Sequence, residues 1–119
     1  MLVVEDESAV RKAVASALNQ FGFTVLTAED GAAAVGLFQS HPGKIDLVLS
    51  DLSMPRMNGW ETLAALRKLA PDLPVILSSG YNEAQAMADQ HSELPQAFLG
   101  KPYQLQELRD TVARILDKA

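Results

Sequence analysis

The sequence predicts an α/β domain in which a buried parallel sheet is covered by helices on both faces. Short, continuously apolar segments alternate with segments of helical periodicity from one end of the chain to the other. Strands that are apolar at every position are buried on both faces, as they are in parallel sheets. The 119 residues, 48% of them apolar, suffice for one domain with its own core.

Five segments have the composition of buried strands. Leu47, Val48 and Leu49 run together in the third, and Val75, Ile76 and Leu77 in the fourth. The predicted strands are 2–4, 23–27, 45–50, 73–78 and 97–99. Between and after them, apolar residues recur at helical spacing over 10–21, 32–40, 58–70, 82–91 and 105–116.

Residues at the helix ends support these assignments. Ser8 and Asp30 are candidate N-caps of the first two helices, and Gly22 suits the left-handed position after the first. Asn58 and Glu61 have the spacing of a capping box at the start of the third helix. The apolar face of that helix is predicted to contain four large side chains, namely Trp60, Leu63, Leu66 and Leu69.

The helix predicted over 82–91 differs from the others, because Met87 is its only large apolar residue. We therefore expect it to be short or weakly docked. Right-handed crossovers distribute the helices over both faces of the sheet. The expected architecture is a flavodoxin-like, doubly wound (βα)5 three-layer sandwich with strand order 2-1-3-4-5. No linker or repeat divides the chain, so we expect one domain over 1–119. Because a strand begins as early as Leu2, we also expect this domain to be excised from a longer protein.

Composition excludes several classes of function. The net charge is −5 and the basic residues are scattered, which argues against direct nucleic acid binding. The absence of cysteine excludes disulfides, thiolate metal sites and a cysteine nucleophile. No apolar run reaches the ~18–20 residues of a membrane span, and no signal peptide opens the chain. We expect no membrane insertion and a cytoplasmic location.

Polar residues stand where the predicted strands end. Glu5 and Asp6 follow the first strand, and Asp51 follows the third. Ser79 follows the fourth strand and Lys101 the fifth. Because the carboxyl ends of parallel strands share one edge, these five side chains should converge at the switch point between strands one and three.

The chemistry of such a cluster points to a cation and a phosphoryl group. Neighbouring carboxylates repel each other unless a cation intervenes, and Mg²⁺ prefers oxygen ligands. An aspartate beside Mg²⁺ can accept a phosphoryl group, whose oxygens a lysine and a serine can contact. Each residue alone has a simpler interpretation: Glu5 and Asp6 as favourable charge at a helix start, Ser79 as part of a turn.

Four segments together resemble response-regulator receiver domains of two-component signalling. They cover 2–7, 48–59, 74–80 and 98–103, and contain an aspartate followed by Met-Pro and then Gly, with Lys-Pro further along. The resemblance extends over the whole chain. Residues 79–82 and 101–103 are similar to receivers attached to hybrid sensor histidine kinases.

The resemblance implies a role for each acidic residue. Asp51 would be the phosphoacceptor, and it would share an Mg²⁺ ion with Asp6. Glu5 would bind the metal directly or through water, and it stands where aspartate is commoner. The main-chain carbonyl of Ser53 would be the third protein ligand.

Further implied roles concern the phosphoryl group and the signal. Lys101 and Ser79 would contact the phosphoryl oxygens, and Phe98 would be the aromatic switch residue that turns inward when Ser79 moves. The output surface would combine the helix over 82–91, the last strand and the last helix. The segment over 93–96 replaces the Gly-Ala pair common in the family.

These implications predict a phosphorelay protein rather than a stand-alone enzyme, although it would help to catalyse its own phosphorylation and dephosphorylation. Its partners would be a histidine kinase or phosphotransfer domain, and a downstream protein or missing neighbouring domain. The alternative is a receiver-like binding module that takes no phosphate. An aspartyl-phosphate phosphatase is disfavoured because Ser53 stands where such enzymes carry a second acid, and a flavin carrier because no Ser/Thr-rich loop follows the first strand.

Overall fold

A parallel sheet of five strands, in the order β2-β1-β3-β4-β5, forms the middle layer of the molecule. The structure is a computed structural model that describes residues 1–52, 54, 57–80, 94–101 and 103–116. In chain order its elements are β1 (Leu2–Val4), α1 (Ser8–Gln20), β2 (Leu26–Ala28), α2 (Gly31–Ser40), β3 (Val48–Asp51), α3 (Gly59–Leu69), β4 (Val75–Ser79), β5 (Ala97–Gly100) and a C-terminal helix, α4 (Leu105–Leu116). The predicted strand order is confirmed. The helix predicted over 82–91 lies outside the described residues.

Helices cover both faces of the sheet. Alternate residues of each strand point to opposite faces, so Leu2 and Val4 lie in one core and Val3 in the other. The first core is closed by α2 and α3, and the second by α1 and α4. The doubly wound three-layer arrangement is therefore also confirmed. Among the described residues, no helix combines the length and the apolar character needed to cross a bilayer.

The end of α1 explains why β2 begins later than predicted. Gly22 has φ +98°, its amide donates to the Asn19 carbonyl, and the Phe23 amide donates to the Leu18 carbonyl. This is the Schellman arrangement, which satisfies the last carbonyls of a helix. Because the Phe23 amide is used there, residues 23–25 are a connection to the strand rather than part of it, and β2 is Leu26–Ala28.

The N-caps of α2 and α3 were predicted more accurately than that of α1. Asp30 accepts from the Ala33 amide at 2.8 Å, and Asn58 and Glu61 form the predicted capping box. The prediction for Ser8 was wrong. Ser8 is the first helical residue, and the preceding Glu7 makes no side-chain cap bond.

Two further differences concern exposure and strand ends. Leu69 was assigned to the buried face of α3 but is 44% exposed, because α3 ends there. Strands β3 and β4 each extend one residue further than predicted. That extension places Asp51 and Ser79 inside the sheet as the last residues of their strands.

Candidate functional site

Two neighbouring strands bring the acidic residues together. Val4 pairs with Ser50, so Glu5, which follows β1, and Asp51, which ends β3, lie side by side at the carboxyl edge. Asp6 comes next along the loop. Glu5, Asp6 and Asp51 each offer a carboxylate oxygen, and these atoms lie within 4.8 Å of one another.

Burial differs among the three carboxylates. Glu5 is 5% exposed and Asp51 6% exposed, whereas Asp6 is exposed. Burial raises the pKa of Glu5 above its ordinary value; hydrogen bonds from Glu7 and Lys101 oppose this shift, and the nearby charge of Asp51 adds to it. Two acids are therefore held in a partly dehydrated site, while the third faces water.

Lys101 bridges the two buried carboxylates. Its Nζ lies 3.1 Å from Glu5 Oε1 and 3.1 Å from Asp51 Oδ1. Burial alone would lower the pKa of Lys101, but its bonds to Asp51 and Glu5 outweigh that effect and raise it. The Lys101 amide donates to the Ser79 carbonyl at 2.7 Å, which fixes the start of the lysine next to the end of β4.

Three contacts hold the side chain and the main-chain carbonyl of Glu5. Its Oε1 faces Lys101, and its Oε2 accepts from the Glu7 amide at 3.2 Å. Its main-chain carbonyl accepts from Nη1 of Arg11 at 2.8 Å. Sequence reasoning did not identify Arg11, because only the path of the loop between β1 and α1 brings the second turn of the helix back to Glu5.

The start of α3 packs directly against the end of β3. The Gly59 amide donates to the Leu52 carbonyl at 2.9 Å, and the Leu52 amide donates to the Ser78 carbonyl at 2.8 Å. A Cβ atom on Gly59 would lie 2.7 Å from the Asp51 carbonyl oxygen and 2.8 Å from the Leu52 Cα. Only glycine allows this approach, by which the start of α3 packs against the main chain of Asp51 and Leu52.

The two predicted switch residues lie on adjacent strands. Ser79 is 2% exposed and pairs with Gly100, next to Lys101. Phe98 is half-buried, and its ring meets Trp60 edge to face with centroids 5.8 Å apart. Ser53, the predicted main-chain ligand, lies outside the described residues.

The residues present fit a hard divalent cation. Among the described residues, three carboxylates supply oxygen ligands, and one bridging ammonium leaves an excess of negative charge among them. An exposed third acid leaves one side of the site open to water, which Mg²⁺ characteristically retains. The arrangement is therefore suited to a partly hydrated cation next to Asp51.

Comparison with known proteins identifies the family. The response regulator receiver domain family matches residues 1–113. The chain belongs to this family. The chain spans between 12% and 46% of the length of several curated relatives that it matches.

Individual relatives include receivers of hybrid kinases. The chain is 39% identical over 118 residues to the sensor kinase CckA of Brucella abortus, covering 99% of this chain and 12% of that protein. The crystal structure of the receiver domain of the hybrid histidine kinase CckA is 35% identical, with a TM-score of 0.81 over 97% of this chain and 96% of that one. The response regulator TrrA of Thermotoga maritima, solved with Mg²⁺ and BeF, is 32% identical, with a TM-score of 0.84 over 96% of each chain.

Proposed function

We propose that this receiver accepts a phosphoryl group on Asp51 from a phosphohistidine of a partner kinase or phosphotransfer domain. The observation that carries the proposal is the position of the Asp51 carboxylate. It is buried, lies 3.1 Å from the Lys101 ammonium and shares a 4.8 Å cluster with Glu5 and Asp6. A carboxylate placed between a cation and a cation-binding cluster is suited to receive an anionic group.

In the proposed transfer, a carboxylate oxygen of Asp51 bonds to phosphorus as the bond from phosphorus to the donor imidazole nitrogen breaks. The donor leaves as neutral imidazole after taking up a proton. Asp6 and Asp51 would hold Mg²⁺, with Glu5 contributing directly or through water and Ser53 through its carbonyl. When bound, Mg²⁺ supplies positive charge to the phosphoryl oxygens.

Lys101 would move its ammonium from a shared position between two carboxylates toward a phosphoryl oxygen. Its 3.1 Å contacts with both Glu5 and Asp51 support this role, because a short displacement would bring it to a group on Asp51. The Ser79 hydroxyl would donate to another phosphoryl oxygen. Phe98, whose ring rests against Trp60, would then turn inward and alter the surface around β5 and α4.

The proposal makes this chain a relay component in the cytoplasm. Phosphoryl groups would come from a histidine kinase or phosphotransfer domain, and the output would pass to a downstream protein or a neighbouring domain. The similarity to CckA favours the receiver of a hybrid histidine kinase. The domain would assist its own phosphorylation and dephosphorylation without turning over a separate substrate.

The test is intact-mass measurement after incubation with a small-molecule phosphodonor, with and without Mg²⁺. We expect one phosphoryl adduct that requires Mg²⁺ and is absent in Asp51→Asn. The matched control is Asp72→Asn, which removes an exposed carboxylate from the other end of the sheet and should be labelled like the wild type. A folded, Mg²⁺-loaded protein without an adduct would contradict the proposal and leave a phosphorylation-independent binding module.

A further inference from the structure

Arg11 lies beside the acidic cluster without joining it. Its Nη1 donates to the main-chain carbonyl of Glu5 at 2.8 Å, and this contact is partly buried. Within the part of the chain that the structure describes, no ion pair joins Arg11 to Glu5, Asp6 or Asp51. Its guanidinium therefore acts on the backbone of the loop and not on the carboxylates.

The backbone at Glu5 is fixed on both sides. The Glu5 amide donates to the Ala28 carbonyl at 3.0 Å, which continues the pairing of β1 with β2. Among the described residues, Arg11 supplies the hydrogen bond that the Glu5 carbonyl accepts. Its carbonyl belongs to the peptide that leads into Asp6, so the Arg11 bond sets the orientation of the peptide from which the second carboxylate projects.

We propose that Arg11 is a positioning residue, which holds the Glu5–Asp6 peptide so that both carboxylates face a bound divalent cation. This inference rests on the proposed function, because it assigns Arg11 to the same Mg²⁺ site. Charge-assisted hydrogen bonds are among the stronger ones in proteins. Loss of this bond would let the loop rotate and separate the Asp6 carboxylate from that of Asp51.

The direction in which the Mg²⁺ dissociation constant changes when Arg11 is replaced distinguishes a positioning role from a purely electrostatic one. A cation near a cation site repels the incoming metal, so removing the Arg11 charge alone would strengthen Mg²⁺ binding. Removing a positioning contact would weaken it, because the ligands would no longer be preorganised. The two interpretations therefore predict opposite changes in the dissociation constant.

The experiment is calorimetric titration of Mg²⁺ into the unphosphorylated chain, comparing Arg11→Met with Lys12→Met. Lys12 is the next residue of α1, is exposed, and carries the same charge. We expect Arg11→Met to raise the dissociation constant about fivefold. Lys12→Met should leave it unchanged or slightly lower. Arg11→Lys, which keeps a donor on a flexible stem, should recover part of the loss.

A dissociation constant for Arg11→Met equal to or below that of Lys12→Met would overturn the inference. If Arg11→Met fails to fold, Arg11→Gln replaces it, since the shorter amide cannot reach the Glu5 carbonyl. Urea unfolding of each variant separates loss of fold from loss of the site. Failure of the folded wild type to bind Mg²⁺ would instead refute the metal part of the proposed function, and this inference with it.

Discussion

At the carboxyl edge of the sheet, Lys101 lies between two buried carboxylates, whereas at the amino edge Arg67 donates to a main-chain carbonyl and to a side-chain amide oxygen. Arg67 is 9% exposed, and its Nε donates to the Leu73 carbonyl at 2.8 Å. Its Nη2 donates to Gln96 Oε1 at 2.6 Å. Each edge thus holds a cation from one element against two others, and at the carboxyl edge the described partners of that cation are two carboxylates.

At the amino edge, Gln96 forms hydrogen bonds with both Arg67 and Val75. Gln96 Oε1 also accepts from the Val75 main-chain amide at 2.8 Å, and the main-chain amide of Gln96 donates to the Val75 carbonyl at 2.8 Å. Gln96 therefore extends the pairing of β4 with β5 through its main chain and its side chain, and its side chain also binds Arg67 of α3. These bonds join α3, the segment before β4 and the segment before β5 into one network.

The carboxyl edge is left unbalanced by comparison. Three carboxylates lie in one cluster, two of them contact the Lys101 ammonium, and burial raises the pKa of Glu5. Such an excess of negative charge disfavours the metal-free folded protein and makes this edge suited to a cation. We therefore expect substitutions at the amino edge to act on stability, and substitutions at the carboxyl edge to act on the proposed site as well.

The largest effect is expected for Gly59→Ala, which disturbs the carboxyl edge through its backbone. The added Cβ would overlap the Asp51 carbonyl oxygen and the Leu52 Cα, neither of which can move freely. We expect the free energy of unfolding to fall by about 3 kcal/mol. Labelling of Asp51 by a phosphodonor should slow about tenfold, because the carboxylate is displaced.

Gly36→Ala is the matched control for that substitution. Gly36 is an exposed position within α2, and an added Cβ there would meet no atom within 4 Å. Alanine should raise the free energy of unfolding by about 0.5–1 kcal/mol and leave labelling unchanged. Equal effects of the two alanines in urea unfolding and intact-mass labelling would show that the close approach at Gly59 is unimportant.

A smaller and purely structural effect is expected for Arg67→Met at the amino edge. Methionine fills similar space but leaves the Leu73 carbonyl and one lone pair of Gln96 without a donor. We expect a loss of about 2 kcal/mol in the free energy of unfolding, measured with urea. Labelling of Asp51 should persist at temperatures where the variant is folded.

Lys68→Met tests whether burial of Arg67 is responsible. Lys68 is the next residue of α3 and is exposed, so its replacement should change the free energy of unfolding by no more than about 0.5 kcal/mol. Loss of Asp51 labelling in folded Arg67→Met would break the comparison, since the amino edge would then take part in the chemistry.

Sequence patterns predicted the carboxyl edge far better than the amino edge. Glu5, Asp51 and Lys101 each follow or end an apolar strand, so strand order alone was enough to bring them together. Arg67 reads as an ordinary charge in the last turn of a helix, and its partners are 6 and 29 residues away. Arg11 was not predicted either, because its contact with the Glu5 carbonyl depends on the path of a loop.

Element types were predictable because continuous apolar strands and capping residues are local signals. Element boundaries were less predictable. The Schellman arrangement at Gly22, for example, uses the Phe23 amide that a longer β2 would need. The prediction that Leu69 lies on the buried face of α3 was wrong, because periodicity does not show where a helix ends. Local chemistry thus fixes the kind of element, and tertiary contacts fix its ends.

The smallest effect is expected for Glu5→Gln, and it concerns the pH dependence of stability in the absence of divalent ions. Burial raises the pKa of Glu5 above its ordinary value of 4.5, so the folded state holds this proton more tightly than the unfolded state. The contribution of Glu5 to stability therefore falls as the pH rises through 4.5 and then through the raised pKa.

Glutamine cannot titrate, so the stability of Glu5→Gln relative to the wild type should increase over that pH interval in urea unfolding. Glu29→Gln, which removes an exposed carboxylate after β2, should keep the pH dependence of the wild type. Adding Mg²⁺ should reduce the difference between Glu5→Gln and the wild type, because the metal compensates the Glu5 charge. Parallel curves for all three proteins would mean that the carboxyl edge bears no electrostatic cost, and the contrast with the Arg67 network would then rest on geometry alone.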